Sequence, residues 1–317
     1  MKKVFVTGAA GFIGSNLIDY LLNLNIEVVG WDNLSTGNLK FLNLAIGNPN
    51  FTFVYGDNLD KTGLIAAIEG CDTVIHLAAN ADIRFGLDHP TKDIEQNILA
   101  TSNVLEAMRV VGINKIIFSS TGSVYGEAKQ IPTSETTSFP IQTSLYAASK
   151  LACEGLISAY CEGYGFSANI FRFVSILGER YTHGHIFDFF KQLNQHPNYL
   201  NVLGNGTQQK SYLYVGDCIK AICSIPIFDK VNIYNLGTEE SIILNQSIKI
   251  ICNYMNLNPE IKYSGGNRGW VGDNPLIHLD IDKAKFFGWN PQFSIQYGIE
   301  NTIKWLSENK WIYEYRK

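Results

Sequence analysis

The chain has 317 residues, 46% of them hydrophobic and 17% charged, and its formal net charge is −4. This composition is typical of a globular protein with one large domain and a smaller one. The sequence contains neither a Lys/Arg run nor an apolar stretch long enough to cross a bilayer, so we expect no nucleic-acid partner and no membrane span.

The cysteines form no CxxC pair, which predicts reduced thiols rather than a disulfide framework or a zinc site. The first apolar strand begins almost at the N-terminus, so we expect no signal peptide and a cytoplasmic location. His183 and His185 suggest a metal site, but Gly184 between them indicates a loop, and we expect no metal. The six cysteines are Cys71, Cys153, Cys161, Cys218, Cys223 and Cys252.

The sequence opens with a strand, a glycine turn and a helix within residues 3–16, KVFVTGAAGFIGSN. Its first residues are apolar and predict a buried parallel strand, and apolar residues recur at helical spacing from Phe12. Gly8 permits a tight turn, Gly11 a close approach of backbone to phosphate, and Gly14 close packing of helix on strand. The N–H groups and dipole of the helix N-terminus predict a pyrophosphate site. The alternative is an ordinary βα turn that is rich in glycine.

Asp32 ends the second predicted strand, which covers residues 26–31. An acidic residue about 20 positions after the glycine turn accepts hydrogen bonds from both hydroxyls of an adenosine ribose and repels a 2′-phosphate. No basic residue follows before Lys40, so the sequence favours NAD over NADP. The alternative is that Asp32 only caps the following turn.

Two further strands are predicted at residues 51–55 and 73–77. Asp57 follows the first of them, where it either contacts the adenine amino group or caps the helix predicted for residues 60–69. The second strand leads into the small residues 78–80, which let a flat cofactor lie against the backbone.

Strand and helix continue to alternate along the first half of the chain. Residues 81–90 are irregular and contain Asp82 and Arg84, which either face the substrate or are solvated. Residues 91–111 predict one long helix, and residues 115–119 predict the fifth strand. The alternation predicts an α/β fold with a doubly wound parallel sheet. Ligand-binding residues are expected at the carboxyl ends of its strands.

The pair Tyr146 and Lys150 lies on a helix predicted for residues 144–160. Residues four apart share one face of a helix, so the lysine ammonium is expected to lower the pKa of the phenol. Tyr146 is then a candidate general base, and the hydroxyl of Thr121 can share the same substrate oxygen. The alternative is an ordinary surface pair.

These motifs resemble the extended short-chain dehydrogenases/reductases of the nucleotide-sugar epimerase/dehydratase family, and most closely the UDP-glucose 4-epimerase-like enzymes. The matching segments occur in order as TGAAGFIGSN, DNLSTG, GD, HLAA, SSTGSVYG and YAASK. The resemblance implies a Rossmann-type NAD-binding domain at residues 1–172 that includes the catalytic helix. It also implies a smaller C-terminal α/β domain, mainly residues 173–317, that binds the nucleotide sugar, with some chain exchange between the two.

The resemblance also assigns roles to individual residues. It implies that Tyr146 is the catalytic base, that Lys150 binds the nicotinamide ribose, and that Thr121 takes the Ser or Thr position of the family. The implied cofactor-binding residues are Gly8, Ala10, Gly11, Phe12, Ile13, Gly14, Asp32, Asn33, Ser35, Thr36, Gly37, Asp57, Asn58, Leu77, Ala78, Ala79, Asn97, Ser119, Tyr146, Lys150 and Phe173. The implied substrate-binding residues are Asp82, Arg84, Thr121, Ser123, Tyr146, Ser175, Lys210, Tyr212, Arg268 and Asp273.

Gly122 and Ser123 bear on the type of reaction. The related 4,6-dehydratases carry an acidic pair at these two positions, because they remove a C5 proton and expel a C6 hydroxyl. Decarboxylases of the group usually have Glu where Ser123 stands. Neither position is acidic here, so the resemblance favours oxidation and re-reduction at one carbon.

The second half of the chain departs from the family pattern. Ser175 stands where the family usually has Asn against the diphosphate. Lys210, in the segment with Tyr212, replaces an arginine and lacks its bidentate fork. Arg268, with Asp273 nearby, resembles a late diphosphate-binding arginine, and solvated surface cations are the alternative for Lys210 and Arg268. The elements predicted here include a sixth strand at residues 171–175, a helix at 186–193 and a strand at 201–205.

The resemblance therefore predicts an NAD-dependent nucleotide-sugar epimerase, which converts a UDP-hexose at C4 through a transient 4-keto sugar. A nucleotide-sugar dehydrogenase or reductase, or a dehydratase or decarboxylase, of the same family is the first alternative. A non-catalytic NAD-sensing regulator is the second. The resemblance further implies a homodimer through the helices at about residues 91–111 and 144–160.

Overall fold

The computed structural model describes residues 1–80, 88–138, 141–266, 268–269 and 276–315. The chain forms two compact units. The first unit consists of Met1–Val124, Ser144–Arg172 and Ile222–Tyr234. The second consists of Tyr125–Thr143, Phe173–Ala221 and Asn235–Lys317.

Strands and helices alternate through the first half of the chain. The strands are β1 (Lys3–Thr7), β2 (Glu27–Asp32), β3 (Phe51–Tyr55), β4 (Thr73–His76), β5 (Lys115–Thr121), β6 (Ser167–Phe173), β7 (Ser175–Leu177), β8 (Tyr199–Val202), β9 (Gln209–Lys210), β10 (Tyr212–Tyr214), β11 (Val231–Leu236), β12 (Ile242–Ile243), β13 (Glu260–Tyr263) and β14 (Leu276–Ile277). The α-helices are α1 (Phe12–Asn23), α2 (Lys61–Ile68), α3 (Pro90–Asp93), α4 (Ala100–Val111), α5 (Leu145–Tyr164), α6 (His185–Gln195), α7 (Val215–Ser224), α8 (Leu244–Met255), α9 (Asp282–Phe286), α10 (Ile295–Glu308) and α11 (Ile312–Tyr315).

A seven-stranded sheet in the order β3-β2-β1-β4-β5-β6-β11 confirms the predicted doubly wound Rossmann-type fold. Strand β1 pairs in parallel with both β2 and β4, although β4 comes third after it in the sequence. The strand order therefore reverses beside β1. Ligands of open α/β sheets bind at the carboxyl ends of the strands at such a point.

The burial of each strand follows its place in the sheet. Val4, Phe5 and Val6 on the central β1 are all fully buried, because helices cover both faces of a doubly wound sheet. Strand β3 lies at the edge, and Tyr55 at its end is 70% exposed. Helix α1 buries Leu17, Ile18, Leu21 and Leu22, whose spacing places them on one face.

The predicted helix at residues 91–111 has a composite structure. It consists of α3, a π-helical segment at Ile94–Leu99, and α4, and Gly112 ends it in the left-handed conformation at φ +86°. The prediction of one α-helix missed the π-helical segment, because the apolar spacing reports only the average period. Ile94 is 51% exposed, although a regular helix would place it on the apolar face.

Two predicted strands have different boundaries in the structure, and one of the two alternatives for Asp57 is excluded. The sixth strand begins at Ser167 and ends at Phe173, and Ser175 starts the separate strand β7. The strand predicted at residues 201–205 is Tyr199–Val202. Asp57 does not cap α2, because the side chain of Asp60 accepts the hydrogen bond from Gly63 N at 3.0 Å.

The second unit contains three small sheets. Strands β10 and β7 pair in parallel, β13 pairs in parallel with β8, and β9 lies between β12 and β14. Helix α10 buries Ile295, Ile299, Ile303 and Leu306 on one face. Trp289 is 3% exposed and donates its indole N–H to Asp217 O, as expected for a core tryptophan.

All six cysteines lie among the described residues and none forms a disulfide. In the part of the chain that the structure describes, no helix is both long enough and apolar enough to span a membrane.

Candidate active site

The glycine turn after β1 leaves no room for side chains. Gly8 has φ +70°, and a Cβ on it would lie 2.9 Å from Ala78 N. A Cβ on Gly14 would lie 2.1 Å from Gly8 O, closer than any nonbonded contact allows. Helix α1 begins at Phe12 with Gly11 as its N-cap residue, and Gly11 has no side chain to bind the first turn. The turn therefore offers backbone N–H groups to an anion at the positive end of a helix dipole.

The carboxylate of Asp32 is fixed at the end of β2. Its Oδ2 accepts a hydrogen bond from Ala10 N at 2.9 Å, and its Oδ1 accepts one from Leu34 N at 2.7 Å. Burial raises the pKa of this carboxyl, and the two backbone hydrogen bonds partly offset the rise. Asp32 thereby links the glycine turn to the loop after β2, and each oxygen keeps lone pairs for further donors.

Three polar residues follow the ends of β2 and β3. Asn33 comes directly after β2, and Asp57 and Asn58 follow β3. Asn33 Nδ2 donates to Asp57 Oδ2 at 2.8 Å, and Leu59 N donates to Asp57 Oδ1 at 2.9 Å. Asn58 Oδ1 is buried and has no hydrogen-bond partner among the described residues. An acceptor of this kind suits the amino group of an adenine. Together with Asp32 and the glycine turn, these residues fit the expected NAD.

The remaining predicted cofactor residues follow the same strand ends. Gly37 is buried, and a Cβ on it would lie 2.9 Å from Ala10 C, so the loop after β2 packs directly on the glycine turn. Ser35 and Thr36, in the same loop, are exposed. Ala10 lies in the glycine turn, and Phe12 and Ile13 begin α1. Leu77, Ala78 and Ala79 follow β4, and Ser119 lies in β5. Phe173 is the last residue of β6 and the first of its segment in the second unit.

A buried histidine holds the end of β4 against β1. Thr7 Oγ1 accepts hydrogen bonds from Leu77 N and Ala78 N at 3.2 Å each, so its own proton points to His76 Nδ1 at 2.6 Å. His76 Nε2 then carries the ring proton and donates to Thr101 Oγ1 at 3.1 Å. Burial, with a smaller contribution from the charge of Lys150, lowers the pKa of His76 to about 3. The imidazole is therefore neutral at physiological pH.

His76 should make the protein sensitive to acid. Its pKa is about 6.5 in an unfolded chain and about 3 in the fold, so the unfolded state binds the extra proton as the pH falls from 6.5 towards 3. We expect His76→Gln to be less stable than the natural protein at pH 7. The natural protein should lose about 2 kcal/mol of unfolding free energy between pH 7 and pH 5 through His76, and the variant should not. The stability difference between the two proteins should therefore be smaller at pH 5 by that amount. Urea unfolding at both pH values measures this, and the exposed His196→Gln is the control. A constant difference for His76→Gln would contradict the prediction.

Tyr146, Lys150 and Thr121 come together at the end of β5. Helix α5 begins after Ser144, whose side chain accepts a hydrogen bond from Ala147 N at 3.1 Å, so Tyr146 lies in its first turn. The side chain of Thr121 makes a hydrogen bond with Tyr146. Lys150 Nζ donates to Ser119 O at 2.8 Å and lies 4.6 Å from the centroid of the Phe118 ring. The structure thus groups a phenol, an ammonium and a hydroxyl on one helix and one strand.

The expected lowering of the Tyr146 pKa by Lys150 is wrong. Burial raises the pKa of Tyr146 above its usual value, the Asp93 carboxylate and Cys153 raise it further, and the Thr121 hydrogen bond only partly offsets the rise. Burial also lowers the pKa of Lys150 to about 8. The spacing of the two residues predicts a shared helix face but not how much water each group loses.

Asn97, in the π-helical segment, is the centre of a polar network. Its Nδ2 donates to Ser149 Oγ at 2.8 Å and to Asp93 Oδ1 at 3.3 Å, and its Oδ1 accepts from Asn80 N at 2.8 Å. Asn80 Nδ2 also donates to Asp93 Oδ1 at 2.9 Å, and Ser149 Oγ donates to Tyr146 O at 2.8 Å. A chain of hydrogen bonds thus connects the segment after β4 with the backbone of Tyr146.

Two of the predicted substrate residues are neighbours in the second unit. Ser175 and Tyr212 lie opposite each other in the parallel pair of β7 and β10, and Ser175 is exposed. The Tyr212 hydroxyl lies 3.2 Å from His185 Nδ1. Lys210 lies on β9, two positions before Tyr212, and pairs with Ile242 and Ile277.

The other predicted substrate residues are Arg268 and Ser123, whose contacts the structure describes, and three residues that lie outside the described ranges. The guanidinium of Arg268 forms an ion pair with Glu127, so its charge is partly neutralised within the second unit. Ser123 lies in the short 3-10 helix Gly122–Tyr125 and donates its backbone N–H to Thr121 Oγ1 at 3.1 Å. Asp82, Arg84 and Asp273 lie outside the described residues.

Sequence reasoning missed several polar groups around Tyr146. Asp93 and Ser149 lie three or four positions from predicted site residues, and helical periodicity could have placed them on the same faces. Glu154 lies four positions after Lys150 on α5 and forms a buried ion pair with Arg172 of β6. Its spacing to Lys150 was visible in the sequence, but its partner was not.

A family model described as NAD dependent epimerase/dehydratase family matches residues 4–237. The chain is 35% identical over 316 residues to a protein of Methanocaldococcus jannaschii that carries the provisional name UDP-glucose 4-epimerase, covering 96% of this chain and 99% of the relative. UDP-glucose 4-epimerase of Thermus thermophilus, solved with NAD, superposes with a TM-score of 0.86 at 31% identity over 96% of this chain and 99% of that chain. A double mutant of the dTDP-glucose 4,6-dehydratase DesIV from Streptomyces venezuelae, also solved with NAD, gives a TM-score of 0.92 at 25% identity over 99% of both chains.

Proposed function

The chain belongs to the NAD-dependent epimerase/dehydratase family, and we propose that it is a nucleotide-sugar 4-epimerase that acts on a UDP-hexose. The cofactor is NAD. The proposal is that Asp32 binds the adenosine ribose, that the turn from Gly8 to Gly14 binds the pyrophosphate, and that Lys150 binds the nicotinamide ribose. When bound, oxidised NAD supplies a hydride acceptor whose positively charged ring favours the ionised form of a nearby phenol.

Tyr146 moves the proton of the reacting hydroxyl in this proposal. Its phenolate takes the proton while the sugar carbon is oxidised, and its phenol returns the proton when the keto sugar is reduced on its other face. The raised pKa of Tyr146 suits the second half of this cycle, because a weakly acidic phenol stays protonated and can donate to the keto oxygen. Thr121 donates a second hydrogen bond to that oxygen and lies against Tyr146.

The observation that carries epimerisation is the absence of a usable acid beside Thr121 and Tyr146 in the described structure. Gly122 and Ser123 occupy the short helix after β5, where a dehydratase needs an acidic pair. Asp93 and Glu154 are only 1% and 4% exposed, so neither can reach a substrate carbon. A site with one phenol and one hydroxyl supports removal and return of a single hydroxyl proton, which is what a change of configuration at one carbon requires.

We propose that the second unit binds the nucleotide. Ser175 and Tyr212 pair on β7 and β10, and Lys210 lies two positions before Tyr212 on β9. In this proposal Lys210 supplies positive charge for the diphosphate, and Arg268, which is ion-paired with Glu127, supplies part of it. The names of the Methanocaldococcus relative and of the Thermus structure both refer to UDP-glucose, which supports uridine as the base.

The homodimer expected from the resemblance is also a proposal. It would use residues 91–111 and 144–160. Apolar side chains within them support it, because Ile94, Leu99 and Leu145 are 51%, 50% and 43% exposed.

The function can be tested by incubating the purified protein with UDP-, dTDP-, GDP- and CDP-sugars without added NAD. Products are separated by anion exchange and identified by NMR, and the NADH absorbance is recorded in parallel. We expect one UDP-hexose to give its C4 isomer with no net NADH. Accumulation of NADH on addition of NAD, without an isomer, would instead identify a dehydrogenase. A 4-keto-6-deoxy product would identify a dehydratase, and binding of NAD without turnover of any sugar would favour the regulator.

A further inference from the structure

Helix α5 carries a buried carboxylate that the proposed mechanism does not use. Glu154 lies about two turns after Tyr146 and one turn after Lys150, and it is 4% exposed. Arg172, near the end of β6, is 7% exposed and donates from Nη2 to Glu154 Oε2 at 2.6 Å and from Nε to Oε1 at 3.0 Å. This bidentate geometry orients the carboxylate as well as compensating its charge.

The same carboxylate also binds the strand that carries Thr121. Ser120 Oγ, on β5, donates to Glu154 Oε1 at 2.5 Å. The two neighbours of Ser120 both contact the site, since Ser119 O accepts from Lys150 Nζ at 2.8 Å and the Thr121 side chain bonds to Tyr146. Three consecutive residues of β5 are therefore bonded to α5 or to groups on it.

The energetics of buried ion pairs indicate a role other than stability. Taking Glu154 and Arg172 out of water costs free energy that their attraction roughly offsets, and apolar side chains of similar size often stabilise a fold equally well. A fixed, directional contact is what an apolar pair cannot supply. The hydrogen bond from Ser120 is directional, and it lies between the two contacts on which the proposed chemistry depends.

We propose that Glu154 is a positioning residue. Oriented by Arg172 and bonded to Ser120, it fixes the end of β5 against α5, so that Thr121 and Tyr146 can both form hydrogen bonds with one substrate oxygen. We call Glu154, Arg172 and Ser120 the Glu154 clamp. Its effect on turnover rests on the proposed function, since the substrate oxygen belongs to that reaction. Misplacement of reacting groups by a fraction of an ångström to about 1 Å costs up to about a hundredfold in rate.

Ser120→Ala is the sharpest test, because it removes the link to β5 and leaves the ion pair of Glu154 and Arg172 in place. We expect kcat to fall about tenfold while KM and the bound NAD stay unchanged. The control is Ser158→Ala, which removes a hydrogen bond of 2.7 Å to the backbone oxygen of the same Glu154. This control should keep kcat within about twofold.

A second readout does not depend on any substrate. Burial lowers the pKa of Lys150 to about 8, and its titration can be followed by NMR of 13Cε-lysine in the protein and assigned with Lys150→Met. Asp93, Cys153 and Glu154 all act on this group electrostatically and remain in Ser120→Ala. If β5 shifts, the hydrogen bond to Ser119 O loosens, and the pKa of Lys150 should fall by about half a unit.

The combined outcomes separate the two proposals. Loss of kcat and a lower Lys150 pKa in Ser120→Ala, with neither in Ser158→Ala, support the clamp. If kcat and the Lys150 pKa are both unchanged in Ser120→Ala, the proposed clamp is wrong. If the natural protein turns over no nucleotide sugar, the proposed function fails, and the Lys150 titration alone decides on the clamp. If Ser120→Ala does not fold, the same two readouts on Arg172→Lys, which keeps the charge and loses the fork, decide it.

Discussion

Tyr146→Phe should reduce kcat by about a thousandfold, because general acid–base catalysis contributes factors of about 10² to 10⁴ and phenylalanine cannot carry the proton. The substitution removes one oxygen and its hydrogen bond with Thr121, and it keeps the aromatic ring. NAD content and the affinity for UDP should change less than about threefold, since neither requires proton transfer. Turnover of the identified sugar, NAD released on denaturation and UDP titration measure these three properties.

The matched control for Tyr146→Phe is Tyr160→Phe on the same helix. Tyr160 donates its hydroxyl to Glu106 Oε1 at 2.6 Å, so this variant also loses one hydroxyl and one hydrogen bond. We expect its kcat to stay within about twofold of the natural protein. Comparable turnover by the two variants would contradict the role of Tyr146 as the group that moves the proton.

Gly14→Ala should abolish NAD binding. An added Cβ would lie 2.1 Å from Gly8 O, 2.9 Å from Gly8 C and 3.2 Å from Ala9 Cα, and these are backbone atoms that cannot move aside singly. The turn must open, which separates the first turn of α1 from the pyrophosphate site. We expect the affinity for NAD to fall by at least about a hundredfold, equivalent to about 2.7 kcal/mol. Calorimetric titration with NAD and the NAD content after purification measure this.

Gly163→Ala is the control for Gly14→Ala, because it adds the same methyl group to a helix. Gly163 lies near the end of α5, and a Cβ there meets no atom within 4 Å. Alanine favours a helix over glycine by up to about 1 kcal/mol, so this variant should keep its NAD and unfold at the same or a higher temperature. A Gly14→Ala protein that retains stoichiometric NAD would show that the turn yields more easily than its geometry indicates.

The parts of the site that were predictable from sequence are those set by local spacing. Gly8, Gly11 and Gly14 lie within one turn, and Tyr146 and Lys150 are one helical turn apart, so the distances within each group follow from backbone geometry. Asp32 was predictable for a related reason, since it ends the strand that pairs with β1. The alternation of strand and helix predicted a doubly wound parallel sheet, and the strand pairing confirms it.

The remaining features depend on contacts that local spacing does not describe. Ser120 and Glu154 are 34 positions apart, and Arg172 meets Glu154 only because β6 lies beside β5. The direction of the Tyr146 pKa shift was predicted wrongly, because burial raises this pKa and the Asp93 carboxylate raises it further. The boundary between β6 and β7 was also missed, since Phe173 and Ser175 continue one extended run in the sequence while pairing with different strands.

The π-helical segment at Ile94–Leu99 has a consequence for how chain length is constrained. A π-turn holds one residue more than an α-turn, so deleting any single residue of the segment would let it relax into an α-helix. The helical turns before and after the segment would keep their relative orientation, because the wider turn is what accommodates the extra residue. Asn97 lies within this wider turn, so the deletion would change the backbone from which it contacts Asp93, Asn80 and Ser149. A homologous chain one residue shorter here can therefore keep both flanking helices in place, but it must connect the segment after β4 to Tyr146 through different polar contacts.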